Sequence, residues 1–187
     1  ELAESKTLVV FYDVGVPGRN MSNIKVEYGR GIEKAVDYLY DLGHRRMAFI
    51  SHHSALGPIN LRESAFRIAV QRHSPRVKWG ISANTDTLDG GRRAAREILD
   101  SGLSPTAIIC VNDFMALGVV AELRDRKLKV PQDVSVTGFD NIKLSEYCSP
   151  PLTTVHIPRD QIGQTVIDLL VPDDAESRSN GREVIIA

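Results

Sequence analysis

P-T-A-I-I-C-V-N-D-F-M-A-L-G-V at 105–119, V-P-Q-D-V-S-V-T-G-F-D-N at 130–141 and S-P-P-L-T-T-V at 149–155 decide the fold. Two runs within them, 107–111 and 134–139, are apolar and β-branched and have the length of buried strands. The first leads into Asn112 and Asp113; the second closes on Gly138, Asp140 and Asn141. In an open parallel sheet, ligands bind beyond the carboxyl ends of the strands. Asn112 and Asp140 therefore stand where a small polar ligand would be held.

Outward from this stretch, strand-like and helix-like patterns alternate. Residues 8–12 read as a short strand. Ile32, Ala35, Val36 and Leu39 recur at i, i+3, i+4 and i+7, one face of a helix, which Gly43 stops. Strand 47–50 follows, then a helix carrying Ala65, Phe66, Ala69 and Val70, and a weaker strand at 77–81. A third helix carries Ala94, Ala95, Ile98 and Leu99. After strand 107–111, Asp113 is the expected N-cap of a helix carrying Ala116, Leu117, Val120 and Leu123. A short strand at 152–155 precedes a helix after Pro158, residues 173–182 read as a loop, and 184–186 as a last strand. Repeated β-α units imply a parallel sheet with helices on both faces, an α/β doubly wound fold. Residues 14–26 and 155–159 are the expected linker-like crossings.

The chain has 187 residues, 23 Lys plus Arg and 24 Asp plus Glu, so its formal net charge is −1. A domain that bound nucleic acid alone would be basic, so no autonomous DNA binding is expected. No apolar run has the ~20 residues needed to span a bilayer, and no signal-peptide pattern opens the sequence. No membrane association and a cytoplasmic location are expected. Cys110 lies inside an apolar run and reads as a small buried hydrophobe; with Cys148 it makes no disulfide framework or metal spacing. His52 and His53 are adjacent, and His44, His73 and His156 show no ligand spacing. No metal, no cofactor and no catalytic residue is expected: there is no G-x-S-x-G elbow, C-x-x-C or P-loop.

The quoted stretch resembles the effector-binding core of the LacI/GalR family of bacterial transcriptional repressors. L-V-V-F-Y-D (8–13), L-G-H-R-R-M-A-F-I (42–50), L-R-E-S-A-F (61–66) and P-P-L-T-T-V-H-I-P-R-D-Q-I-G (150–163) extend the resemblance. It implies a two-lobed, periplasmic-binding-protein-like type I fold with effector held between the lobes. It also implies a C-terminal lobe that is complete (26–156 and 182–187) and an N-terminal lobe that is partial (1–25 and 157–173). The helix-turn-helix headpiece of the family and the first part of its N-terminal lobe are not in this sequence. The chain is thus expected to be part of a longer regulator that contacts operator DNA only through that headpiece. Strand 8–12 and the helix after Pro158 are the expected remnant of the first lobe, exposed, disordered or covered by a neighbouring chain.

The resemblance places Asp140 at the ligand carboxylate, Arg62 at the effector-binding arginine and Asn112 at a position that faces ligand. An ionised Asp140 would accept from hydroxyls or a ring N–H, and the planar fork of Arg62 would grip a hydroxyl pair. Asp140 and Asn112 also fit plain turn or cap roles. Asp13 ends the first strand and fits either a cleft contact or a turn cap. Thr85 stands where many members carry a stacking aromatic, and Leu56 and Pro58 where others carry polar contacts. These departures set the chain apart from members that take a standard pyranose or purine. The helix 114–126, with Leu117, and the segment 142–149, with Ile142, Leu144 and Tyr147, are the expected homodimer interface. The function implied is sensing of a small sugar-like effector by a repressor. The alternatives are a transport-type solute-binding protein of the same fold, or an enzyme of the doubly wound class, for which no nucleophile–base pair is visible.

Overall fold

The computed structural model describes residues 7–54, 57–171 and 180–187. The expectations for Leu56 and for most of the loop 173–182 lie outside the described residues. In chain order the elements are β1 (Val9–Tyr12), β2 (Met21–Val26), α1 (Tyr28–Asp41), β3 (Arg46–His52), α2 (Gly57–Arg72), β4 (Lys78–Asn84) and α3 (Leu88–Asp100). There follow β5 (Ala107–Cys110), α4 (Asp113–Asp125), β6 (Ser135–Asp140), a 3₁₀ turn (Lys143–Glu146), β7 (Thr153–His156), α5 (Arg159–Leu170) and β8 (Glu183–Ile186). They form two compact units, residues 29–157 and residues 1–28 with 158–187. No helix among the described residues is long and apolar enough to cross a membrane.

The larger unit is built on a five-stranded, all-parallel sheet of order β4-β3-β5-β6-β7. A strand covered on both faces needs apolar side chains on both. Met47, Ala48, Phe49 and Ile50 of β3 and all four residues of β5 are accordingly fully buried. The chain steps one way from β3 to β4, then back across β3 to β5. Right-handed crossovers therefore put α2 on one face and α3 and α4 on the other. Phe66 of α2 stacks on Phe49 at 5.1 Å between centroids, and Trp79 meets Phe66 edge-on. The helix stop expected at Gly43 is a left-handed residue, φ 94°, as is Gly102 after α3, φ 82°.

Helices α3 and α4 touch backbone to backbone. A Cβ on Gly91 would lie 2.2 Å from the Met115 carbonyl oxygen, and one on Gly118 2.0 Å from that of Leu88. One on Gly90 would fall 1.8 Å from the Thr85 carbonyl oxygen. The pair Gly90–Gly91 is thus a packing device.

Outside this contact, Glu122 is almost fully buried and receives Arg96 through two bonds of 2.9 and 3.0 Å, Arg126 at 3.1 Å and Arg92 at 3.4 Å. The guanidiniums of Arg96 first, then Arg126, hold its carboxyl down to about 2 against an ordinary 4.5, with burial opposing them. A depressed carboxylate stabilises the fold above its unfolded pKa, and the gain is lost as pH falls toward the folded value. Glu122→Gln is expected to cost about 2 kcal/mol at pH 7, less than the full shift converts to because the arginines are partly solvated. Urea titrations of variant and parent should converge as pH is lowered from 5 to 2.

The smaller unit is a three-stranded parallel sheet of order β1-β2-β8. Its core is Ile24, Leu169 and Ile186, with Val10, Val26, Ile162, Val166 and Val184 packed against them. Three expectations are corrected here. Residues 14–26 are not all linker, because Met21–Val26 is the central strand. Residues 182–187 do not join the larger lobe: β8 pairs in register with β2, Ile24 opposite Val184 and Val26 opposite Ile186. The Ile162 and Val166 face of α5 is not left bare, since those two added strands give it something to bury against.

Candidate functional site

Five strand ends bring polar side chains to the carboxyl edge of the larger sheet. The order of connection reverses between β3 and β5, so their carboxyl ends form the topological switch point, the usual crevice for ligands in open α/β sheets.

Arg62 lies in the second turn of α2, not at the helix start as its sequence position suggested. Its side chain is 7% exposed. Nη1 donates to the Val111 carbonyl at 2.6 Å and Nη2 to Asp140 Oδ1 at 3.3 Å. The guanidinium stands 4.0 Å above the Phe139 ring centroid. The arginine is thereby fixed across the ends of β5 and β6, with a carboxylate beside it.

Asp140 has φ 105° and Asn141 φ 51°, left-handed values that side-chain-bearing residues adopt only when neighbours impose them. Asp113 imposes them. Wholly buried, it accepts Ile142 N–H at 2.8 Å and the Thr154 hydroxyl at 2.6 Å, and that hydroxyl in turn accepts Asn141 N–H at 3.2 Å. A Cβ on Gly138 would sit 2.1 Å from Asp113 Oδ1, so only glycine lets the carboxylate come this close.

Asn112, not Asp113, is the N-cap of α4: its Oδ1 accepts Met115 N–H at 2.9 Å. The amide of the same side chain donates to Asp86 Oδ1 at 2.7 Å. His52, at the end of β3, places Nε2 3.7 Å from Asp86 Oδ2. One network therefore runs from Asp86 through Asn112 and the neighbouring Val111 carbonyl to Arg62 and Asp140. Thr85 is exposed beside it; its hydroxyl accepts Arg93 Nη2 at 3.0 Å.

Asp13 belongs to the smaller unit. With φ 63°, it accepts Val26 N–H at 3.2 Å and the Tyr28 hydroxyl. Burial, then the bonds to Asp13 and Tyr12, push the Tyr28 phenol far above its ordinary pKa, so it stays a donor. Both Asp13 oxygens are engaged in holding this turn.

Neither Asp86 nor the approach of His52 to it is signalled by spacing in the sequence. Asp86 directly follows Thr85 in the β4–α3 turn, and the strand-end rule applied to β5 and β6 would have reached it. His52 ends β3, a place that its adjacency to His53 obscures in the sequence.

Of the residues expected at a dimer interface, Leu117 and Ile142 are half-buried, Leu144 is 48% exposed and Tyr147 73% exposed. Phe114, one turn before Leu117, is 49% exposed. A separate groove of about 250 Å³ at the amino ends of β6 and β7 is lined by Tyr38, Leu42, Val130, Pro131 and Pro150 among others. It is apolar and lies away from the network.

The pattern of the periplasmic binding protein-like domain family matches residues 36–185. The ribose operon repressor of Escherichia coli K12 is 39% identical over 142 residues, 75% of this chain and 43% of that protein. The HTH-type transcriptional repressor CytR of the same strain is 38% identical over 138 residues, 73% of this chain and 40% of that protein. The chain thus spans about two fifths of the length of these relatives. Among solved structures, the transcriptional regulator CelR–cellobiose complex superposes with TM-score 0.82 at 27% identity, covering 95% of this chain and 55% of that one. With its sheet order, its polar strand ends and these relatives in agreement, the chain belongs to the periplasmic binding protein-like domain family, as the domain type carried by LacI/GalR regulators.

Proposed function

We propose that this chain is the effector-sensing part of a LacI-type transcriptional regulator, most simply a repressor, and that its effector is a small polar molecule such as a sugar. The observation that carries the reading is the Arg62–Asp140 pair, fixed at the carboxyl ends of β5 and β6 beside the switch point. A buried guanidinium next to an oriented carboxylate offers donors and acceptors 3.3 Å apart, the spacing that vicinal hydroxyls satisfy in pairs. Asn112 is the third proposed contact. Relatives named for the ribose operon and a structural neighbour holding cellobiose support a sugar as the first ligand to test. A ligand that prefers one conformation shifts the population toward it in proportion to that preference. In the intact regulator this shift would alter operator binding through a separate DNA-binding element, in the cytoplasm and without catalysis.

The apolar set Phe114, Leu117, Leu144 and Tyr147 is the proposed dimer face, larger than a solvated surface turn requires. Two DNA-binding elements on paired half-sites need such a dimer. Tyr147→Asp is expected to weaken self-association at least tenfold in sedimentation equilibrium.

The reading is tested by calorimetry with ribose, cellobiose and cytidine, on the parent protein and on Asp140→Asn. At least one ligand should bind, and the variant should lose 30-fold or more. Identical binding by both would remove Asp140 from the site. A transport-type solute-binding role is the alternative; the identity to repressors disfavours it, and strictly monomeric behaviour with sugar binding would favour it.

A further inference from the structure

We propose that Asp86, held by Asn112 and flanked by His52, is a further ligand contact, and that it restricts the site to uncharged polyhydroxy compounds against their phosphorylated or carboxylated counterparts. The proposal rests on the reading of the Arg62–Asp140 edge as the effector site.

Three observations carry it. First, position: His52 ends β3 and Asn112 follows β5, so Asp86 meets both at the switch point, where the crevice of a doubly wound sheet opens. Second, orientation: Asn112 Oδ1 is committed to the Met115 amide, which fixes which end of its side chain faces Asp86. Asp86 Oδ1 is thus held by a donor, while the side chain stays 52% exposed. A carboxylate held on one oxygen and open to solvent presents lone pairs to an incoming hydroxyl.

Third, charge: Asp86 and Asp140 both open toward solvent on this edge, and Asp113 lies buried behind them. Against them stands Arg62, whose guanidinium already serves Val111 and Asp140. The next cation, Arg93, is bonded to Asn84 and Thr85 of the β4–α3 turn, with Glu97 facing Asn84 and Ser82 from the same helix. Among the described residues of this edge, the three carboxylates Asp86, Asp140 and Asp113 outnumber the two guanidiniums Arg62 and Arg93. Hydroxyl groups meet them as donors; a phosphate or carboxylate meets like charge, the repulsive element by which sites reject close analogues.

The test is calorimetry on the intact protein carrying this chain, with ribose and cellobiose as neutral probes and ribose 5-phosphate, ribonate and cellobionate as charged ones. A neutral sugar should bind, and its charged counterpart at least 100-fold more weakly. Asp86→Asn should weaken the neutral sugar about tenfold and narrow the discrimination at least tenfold. Asp86 is half exposed, so the variant should fold, which circular dichroism checks. Equal affinity for ribose and ribose 5-phosphate, or a ratio that Asp86→Asn leaves unmoved, overturns the proposal. If Arg62→Ala still abolishes binding in that case, the site reading stands without it. If no member of the panel binds, both fall together.

Discussion

Gly118→Val is expected to leave the larger unit unable to fold at 37 °C. Any side chain at this position must enter space held by backbone, since a Cβ would lie 2.0 Å from the Leu88 carbonyl oxygen and 3.0 Å from the Arg92 nitrogen. Neither atom can swing aside as a flexible side chain would. Gly91 makes the reciprocal approach to the Met115 carbonyl, so α3 and α4 would have to separate along the whole contact. Separation also pulls Glu122 from Arg92 and Arg96. Overpacking in a tight core typically costs about 1–3 kcal/mol and occasionally more. Here relief requires moving two helices, so about 4 kcal/mol or more is expected, a large part of the roughly 5–15 kcal/mol that keeps an ordinary domain folded. Urea denaturation of Gly118→Ala, the milder change, should already show a loss of about 3 kcal/mol. A loss under about 1 kcal/mol would mean that the helices slide apart freely.

Arg62→Ala should carry the largest functional effect, a loss of more than 100-fold in affinity for whichever of ribose or cellobiose the parent binds. The guanidinium bridges two strand ends, so its removal leaves the Val111 carbonyl and the Asp140 carboxylate without it and opens a void over Phe139. Stability should fall by about 3 kcal/mol, the usual result of removing one partner of a buried charged pair. Arg62→Lys separates the two effects. An ammonium keeps the charge beside Asp140 but cannot reproduce the fork. Thermal melts should recover most of the lost stability, while calorimetry still shows at least tenfold weaker binding. Full recovery of binding by lysine would reduce Arg62 to a point charge.

The sequence announces strands that bury both faces. The 107–111 run is continuous and apolar, the 134–139 run intersperses Val134, Val136 and Phe139 with small or hydroxyl residues, and each leads into a polar residue that now lines the carboxyl edge. β2 gives no such signal. Met21–Val26 places Ser22 and Asn23 in buried positions and keeps one apolar residue, Ile24, wholly in the core. Its partner β8 lies about 160 positions later, as the bond from Arg182 N–H to the Ser22 hydroxyl shows, and local periodicity carries no information about so distant a pairing. The assignment of residues 182–187 failed for the same reason.

At the site, spacing could not tell Asn112 from Asp113, since either side chain can cap a helix. Only the third dimension decides. Asn112 turns back onto its own helix, while Asp113 is drawn inward by Thr154 and the amide of Ile142, neither of which is near it in sequence. The Arg62–Asp140 meeting spans 78 positions and was reached by resemblance rather than by pattern.

The pairing of β2 with β8 also sets an order of events during synthesis. Residues 29–157 are continuous in the chain, so that unit has every strand it needs before α5 emerges from the ribosome. The smaller sheet is split: β1 and β2 are made before residues 29–157, and β8, which pairs with β2, is made after them. Until then Ile24 and Val26 have no β8 to cover them. Domains fold as units during translation at about 5–20 residues per second. At that rate the nascent β1–β2 pair waits on the order of ten seconds, by which time residues 29–157 have been made. That interval is when a chaperone, or a strand from another nascent chain, would find an open parallel edge.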